Sequence, residues 1–169
     1  AETFDTITVG AVTPSGWSEE PPVGGAACVQ YSQGANAPAY MYGRVAKATQ
    51  NAADKYLKRA FTAVGSGGRI RIRCATTNAT STRAGHWIFY SGTTIGFSIL
   101  FHTDGHIYVT NMSTAAKDLG TYTTGTLYDI TIVLGASGAI SSATVNGSTT
   151  SSIGTMNNSL TSVNTLRVS

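Results

Sequence analysis

From Arg69 onward the apolar side chains recur at every second position, and a period of two dictates strands rather than helices. In Arg69-Ile70-Arg71-Ile72-Arg73-Cys74 the isoleucines and Cys74 share one face and the three arginines share the other. His86-Trp87-Ile88-Phe89-Tyr90 is apolar on both sides, as an interior strand requires. Gly96 to His102 and His106 to Thr110 flank an Asp104-Gly105 pair, read as a two-residue hairpin with positive φ at both turn residues. In the run from Thr126 to Leu134, the side chains of Tyr128, Ile130, Ile132 and Leu134 face the same way. Ala139 to Val145 leads into a second turn at Asn146-Gly147, and Ser162 to Val168 forms the last strand.

The first half is less regular. Phe4 to Val9 reads as a strand, and Thr13-Pro14-Ser15-Gly16 as a turn before Trp17. Glu19 to Gly25 reads as a loop, because Pro21 and Pro22 cannot donate to a ladder. Ala26 to Tyr31 is strand-like. Residues 44–60 contain no Gly or Pro and several alanines, so a helix competes there with strands. The β-prone Tyr40, Tyr42, Val45, Tyr56 and Phe61 favour strands over Ala39 to Lys47 and Lys55 to Val64. Ten or more short strands in 169 residues predict a single all-β domain, an antiparallel β-sandwich or barrel.

Charged residues make up 11% of the chain, about half the usual share, so solubility rests on hydroxyls and backbone. A net charge of +3 from scattered cations argues against a nucleic-acid partner. No apolar run approaches the roughly 18 residues of a membrane-inserted helix. The chain opens at Ala1 without a charged-then-apolar leader, which fits a cleaved leader or removal of Met. Cys28 and Cys74 are too few for a zinc site, and their pairing as a disulfide is left open.

Glycoside cleavage needs two carboxylates across the bond, and no two of the eight acids share a strand face. The adjacent Glu19 and Glu20 point apart. A lyase would draw on His86, His102, His106 and the tyrosines, but His102 and His106 read as exposed hairpin residues. On a two-residue turn these histidines diverge, which excludes a shared metal ion. The Asn-X-Ser/Thr triplets at Asn78, Asn111, Asn146 and Asn157 arise by chance in so hydroxyl-rich a chain. The sharpest feature is the stripe of Arg69, Arg71 and Arg73, spaced roughly 7 Å apart along one face. It reads either as a surface for an anionic partner or as a solvated face. Trp17, Tyr40 and Tyr42 are candidate stacking platforms for sugar rings, whereas Trp87 reads as core.

Phe4-Asp5, Val9-Gly10, Pro14-Ser15-Gly16-Trp17, Gly68-Arg69-Ile70-Arg71-Ile72, the Asp104-Gly105 hairpin, Leu127-Tyr128-Asp129-Ile130-Thr131-Ile132 and Val145-Asn146-Gly147 run in order along the chain. Together they resemble the laminin G-like, concanavalin A-like jelly rolls. That resemblance implies a jelly-roll β-sandwich, in a superfamily that holds lectins, carbohydrate-binding modules, adhesion domains, glycosidases, lyases and virion proteins. Fold alone does not select among them. The expectation is a non-catalytic recognition module at an extracellular or virion surface, binding a glycan or an acidic surface through Arg69, Arg71, Arg73, Tyr40, Tyr42 and Trp17. The alternative is a structural protein of a virion or extracellular assembly, a capsid decoration or fibre domain, with a homo-oligomer or capsid protein as partner. No cofactor is expected; a structural calcium at Asp5 or Glu2, as in some modules that the chain resembles, is a minority alternative given so few acids.

Overall fold

The computed structural model describes residues 17–20, 28–31, 45–48, 56–76, 85–112 and 116–168, with side chains described from residue 58 onward. The expected strand Phe4 to Val9 lies outside these residues, as do Tyr40, Tyr42, Asn78, Glu2 and Asp5. The chain forms two compact units, Ala1–Ala60 with Arg167–Ser169, and Phe61–Leu166.

In the smaller unit, β1 (Trp17–Glu20) pairs antiparallel with the start of β4 (Tyr56–Val64), and β2 (Cys28–Tyr31) pairs with β3 (Val45–Ala48). Strands win over the competing helix in every described residue of 44–60. Glu19 and Glu20 correct the loop reading, because they complete β1 opposite Leu57 and Tyr56.

The larger unit is a sandwich of two antiparallel sheets with no α-helix among the described residues. One sheet carries β13 (Val163–Val168), β6 (Gly85–Ser91), β7 (Thr94–Phe101), β8 (His106–Thr110) and β9 (Lys117–Thr121), hydrogen-bonded in that order. The other runs in the order β12 (Ser148–Thr155), β11 (Ala139–Val145), β10 (Tyr128–Leu134) and β5 (Arg69–Cys74). Neighbours distant in sequence, β5 beside β10 and β6 beside β13, give the crossovers of a jelly roll.

The core lies between these sheets. Phe97, Ile99, Phe101, Ile107 and Val109 come from one sheet, and Tyr128, Ile130, Ile132, Leu134 and Ala143 from the other, all buried. Phe101 is at the centre: its ring lies 5.2 Å from Trp87, 5.0 Å from Tyr122 and 5.6 Å from Tyr128 across the sandwich. Gly85 opposes Phe101 in the ladder, and a Cβ there would come within 2.8 Å of the Trp87 ring. β6 is buried along both faces up to Tyr90, as its unbroken apolar run requires.

Two strands, β9 and β12, carry no apolar alternation and escape the period-two reading. Both are edge strands among the described residues, with mostly exposed side chains, held chiefly by backbone pairing. Ile70 and Ile72 face inward as expected but are only half-buried, because β5 is itself an edge.

The Asp104-Gly105 turn also differs from expectation. His102 N–H donates to His106 O at 2.9 Å and Gly105 N–H to His102 O at 3.1 Å, so the loop has three residues. Only Gly105 has positive φ, at 86°, the geometry of a type I turn closed by a bulge. Asn146-Gly147, by contrast, has φ of 47° and 88°, the two-residue form that its sequence predicts.

Phe101→Ala should lower stability by about 3–5 kcal/mol, since it deletes a fully buried ring at the meeting of both sheets. Met112→Ala, 48% exposed, should change it by less than about 0.5 kcal/mol. Chemical denaturation of the two variants checks both.

Candidate functional site

β10 fixes the arginine stripe by its register with β5. Arg73 pairs with Asp129, Arg71 with Thr131 and Arg69 with Val133, on the outer face of the four-stranded sheet. Thr131 in turn opposes Thr144 of β11. These residues and the Asn146-Gly147 turn line a shallow depression of about 610 Å³. Its lining combines two guanidinium groups with the hydroxyls of Thr131 and Thr144.

The stripe is not three bare charges. Arg71 Nε donates to Asp129 Oδ1 at 2.8 Å, and its Nη2 bonds Oδ2, so one guanidinium is held in a two-point fork. Arg73 Nε lies 3.9 Å from the same Oδ2. Arg69 meets no partner among the described residues, and its guanidinium is the free cation of the depression's lining. The hydrogen bond from Arg71 holds the Asp129 carboxyl below its ordinary value, against partial burial, with the charges of Arg71 and Arg73 adding to it. Arg71 is 67% exposed and Asp129 30%, so water screens the pair and it orients more than it stabilises. Asn146 locks the far side: its Oδ1 accepts Asp129 N–H at 2.8 Å, and its own N–H donates to Asp129 O at 2.9 Å.

Asp129 is the partner that sequence reading missed, because 58 residues separate it from Arg71. Its outward direction was visible from the inward Tyr128 and Ile130. Only the β5–β10 pairing was not.

A second polar cluster sits on the other sheet. The three-residue loop makes His102 and His106 directly opposed, so they share a face and do not diverge as a two-residue turn would require. Their rings lie 5.9 and 6.0 Å from Tyr108. His102 Nδ1 is 3.1 Å from Asp104 Oδ2, and His106 Nδ1 is 2.8 Å from Asp118 Oδ2. Asp104 also accepts Tyr108 O–H at 2.8 Å and His106 N–H at 3.0 Å. Desolvation pushes the Asp104 carboxyl up, but the bonds from Tyr108, the His106 N–H and His102 outweigh it and hold it low. The bond to Asp104 raises the Tyr108 phenol, followed by burial and the nearby acids, which keeps the hydroxyl protonated as a donor. The cluster closes on itself. It clasps the turn and ties β8 to β9, and no group of three or more His, Cys, Asp or Glu able to hold a metal occurs among the described residues.

The remaining candidates separate from both places. Trp17 lies in β1 opposite Arg59, its side chain outside the described residues, as are Tyr40 and Tyr42 and the alternative calcium ligands Glu2 and Asp5. Trp87 is core. Cys74 is a buried free thiol whose pKa is pushed up by desolvation and then by the charge of Asp129. The Asn111 amide is buried and donates to Thr155 O at 2.9 Å, which takes that triplet out of reach of modification.

No protein-family model and no curated protein matches the sequence. Among solved structures, a sialidase superposes on 68% of this chain with a TM-score of 0.55 and 12% identity, and the match spans 10% of the sialidase. A congerin II double mutant aligns over 66% of this chain and 90% of its own, with a TM-score of 0.49 and 13% identity. A human galectin-16 variant aligns over 66% and 85%, with a TM-score of 0.44 and 11% identity. The larger unit thus has the concanavalin A-like jelly-roll fold that the sequence motifs resemble.

Asp104 supplies a pH test. A carboxyl held below its ordinary 3.8 stabilises the fold fully above that value and loses its contribution as pH falls through the lowered folded one. Asp104→Asn should therefore melt lower than the wild type at pH 7, and the gap should close below about pH 4. Melting curves across that range check it; a gap independent of pH contradicts it.

Proposed function

We propose that this chain is a non-catalytic recognition module that binds a glycan bearing an acidic group in the depression edged by Arg69 and Arg71. The observation that carries the reading is the Arg69 guanidinium, without a partner among the described residues, beside an Arg71 already oriented by Asp129. A guanidinium presents a planar fork that matches a carboxylate or sulfate at two points. The Thr131 and Thr144 hydroxyls and Asn146 are suited to the hydroxyl groups of a sugar. The fold likeness to part of a sialidase supports a sugar ligand in kind.

The same geometry supports non-catalytic action. Asp129 is the one acid among the described residues that line the depression, and it is engaged by Arg71, so these residues offer no second carboxylate of the kind a glycosidase uses. Arg69 and Arg71 project into solvent from an edge strand, which suits capture of a ligand displayed at an exterior surface.

Calorimetry with an oligogalacturonate and a neutral cello-oligosaccharide tests the reading. The acidic ligand should bind more tightly, and its affinity should fall between low salt and ~0.3 M salt. Arg69→Ala should weaken it roughly ten- to a hundredfold, the scale of a hydrogen bond to a charged group. Equal binding of both sugars would contradict the proposal. So would an oligomer that Arg69→Ala dissolves, which is what the assembly reading requires.

A further inference from the structure

We infer that the ligand is a glycan with its acidic sugar at one end, lying across the strands with the acid at β5 and neutral sugars extending over β10, β11 and β12. This rests on the reading of the depression as an acidic-glycan site and adds its direction and the ligand's charge pattern. The register builds the argument. Arg71, Thr131, Thr144 and Thr149 stand side by side across all four strands, and Arg69, Val133, Ser142 and Ser151 form the next row. Both rows carry cations only at β5, and neither contains an acid. Beyond β5 the groups are hydroxyls and one valine. The Thr144 and Thr149 hydroxyls lie 2.9 Å apart in a hydrogen bond, which fixes their orientation.

Three strand gaps span about 14 Å, longer than a single sugar ring. A uniformly charged chain on this path would set its later acidic groups over β11 and β12, where the rows offer no cation and desolvation has no compensation. Along β5 such a chain would fare no better. Asp129 already engages part of Arg71 and stands 3.9 Å from Arg73, leaving Arg69 as the one cation of the stripe with no partner among the described residues. A single terminal acid on Arg69 and Arg71, followed by neutral sugars over the threonines, satisfies both constraints.

Four probes of defined chemistry test this: a trisaccharide with a terminal uronic acid on two neutral hexoses, the all-neutral trisaccharide, a triuronate, and the free uronic acid. The terminal-acid trisaccharide should bind at least about tenfold more tightly than each of the others, given a charge-assisted bond plus further hydroxyl contacts. Thr149→Val keeps the β-branched shape, so melting should not change, and affinity for that trisaccharide should fall roughly threefold with none lost for the free acid. A triuronate that binds as well, or a Thr149→Val variant with unchanged trisaccharide affinity, overturns the inference while leaving the acidic-glycan site standing. If no acidic probe binds better than the neutral trisaccharide, the site itself falls, and this inference with it.

Discussion

Everything described in the larger unit depends on apolar burial between two sheets that meet around Phe101. Its ring touches Trp87 within its own sheet and Tyr128 of the facing one, and it is wholly removed from water. That contact fixes which face of β10 points inward. Because strand side chains alternate, a slip of one residue would bury Asp129 and expose Ile130 and Ile132, both fully buried in the native register. The hydrophobic face therefore also positions the polar one. Asp129 meets Arg71 because Ile130 must face Phe101's side of the sandwich.

The outer faces follow a different logic. With few charged side chains available, most of those described pair locally: Arg71 and Arg73 around Asp129, His102 with Asp104, and His106 with Asp118. The hairpin cluster is satisfied internally and serves to hold β8 and β9 and their turn. The β5 edge is not, because one carboxylate stands against three guanidiniums. Arg69 is the surplus, and beside it lies a sheet face made of hydroxyls. Among the described strands β5 is an edge, and charge on an edge strand disfavours pairing with another sheet.

Strands with one wet and one dry face were legible in the sequence: the alternation at Ile70 and Ile72 and at Tyr128 to Leu134 is written by burial itself. β9 and β12 were not, because an edge strand of Ser, Thr, Lys and Gly is stabilised by backbone bonds that leave no side-chain pattern. The Asn146-Gly147 turn was legible because few residues tolerate positive φ. The Asp104-Gly105 turn was misread. Asp104 keeps an ordinary φ and uses its carboxylate to clasp His106 N–H instead, a choice that depends on Tyr108 and His102 arriving from the flanking strands. The arginine stripe was visible as a stripe, but its partner was not: pairing between β5 and β10 is a property of topology.

The central claim is that the outer face of the four-stranded sheet, from Arg69 toward Thr149, is where a ligand binds. Amide chemical-shift mapping by NMR during titration with the terminal-acid trisaccharide tests it most directly. The account predicts shifts at Arg69, Arg71, Thr131, Thr144 and Gly147, extending to Thr149, with the hairpin from His102 to Tyr108 unmoved. Shifts confined to that hairpin, or to the opposite sheet, would contradict it.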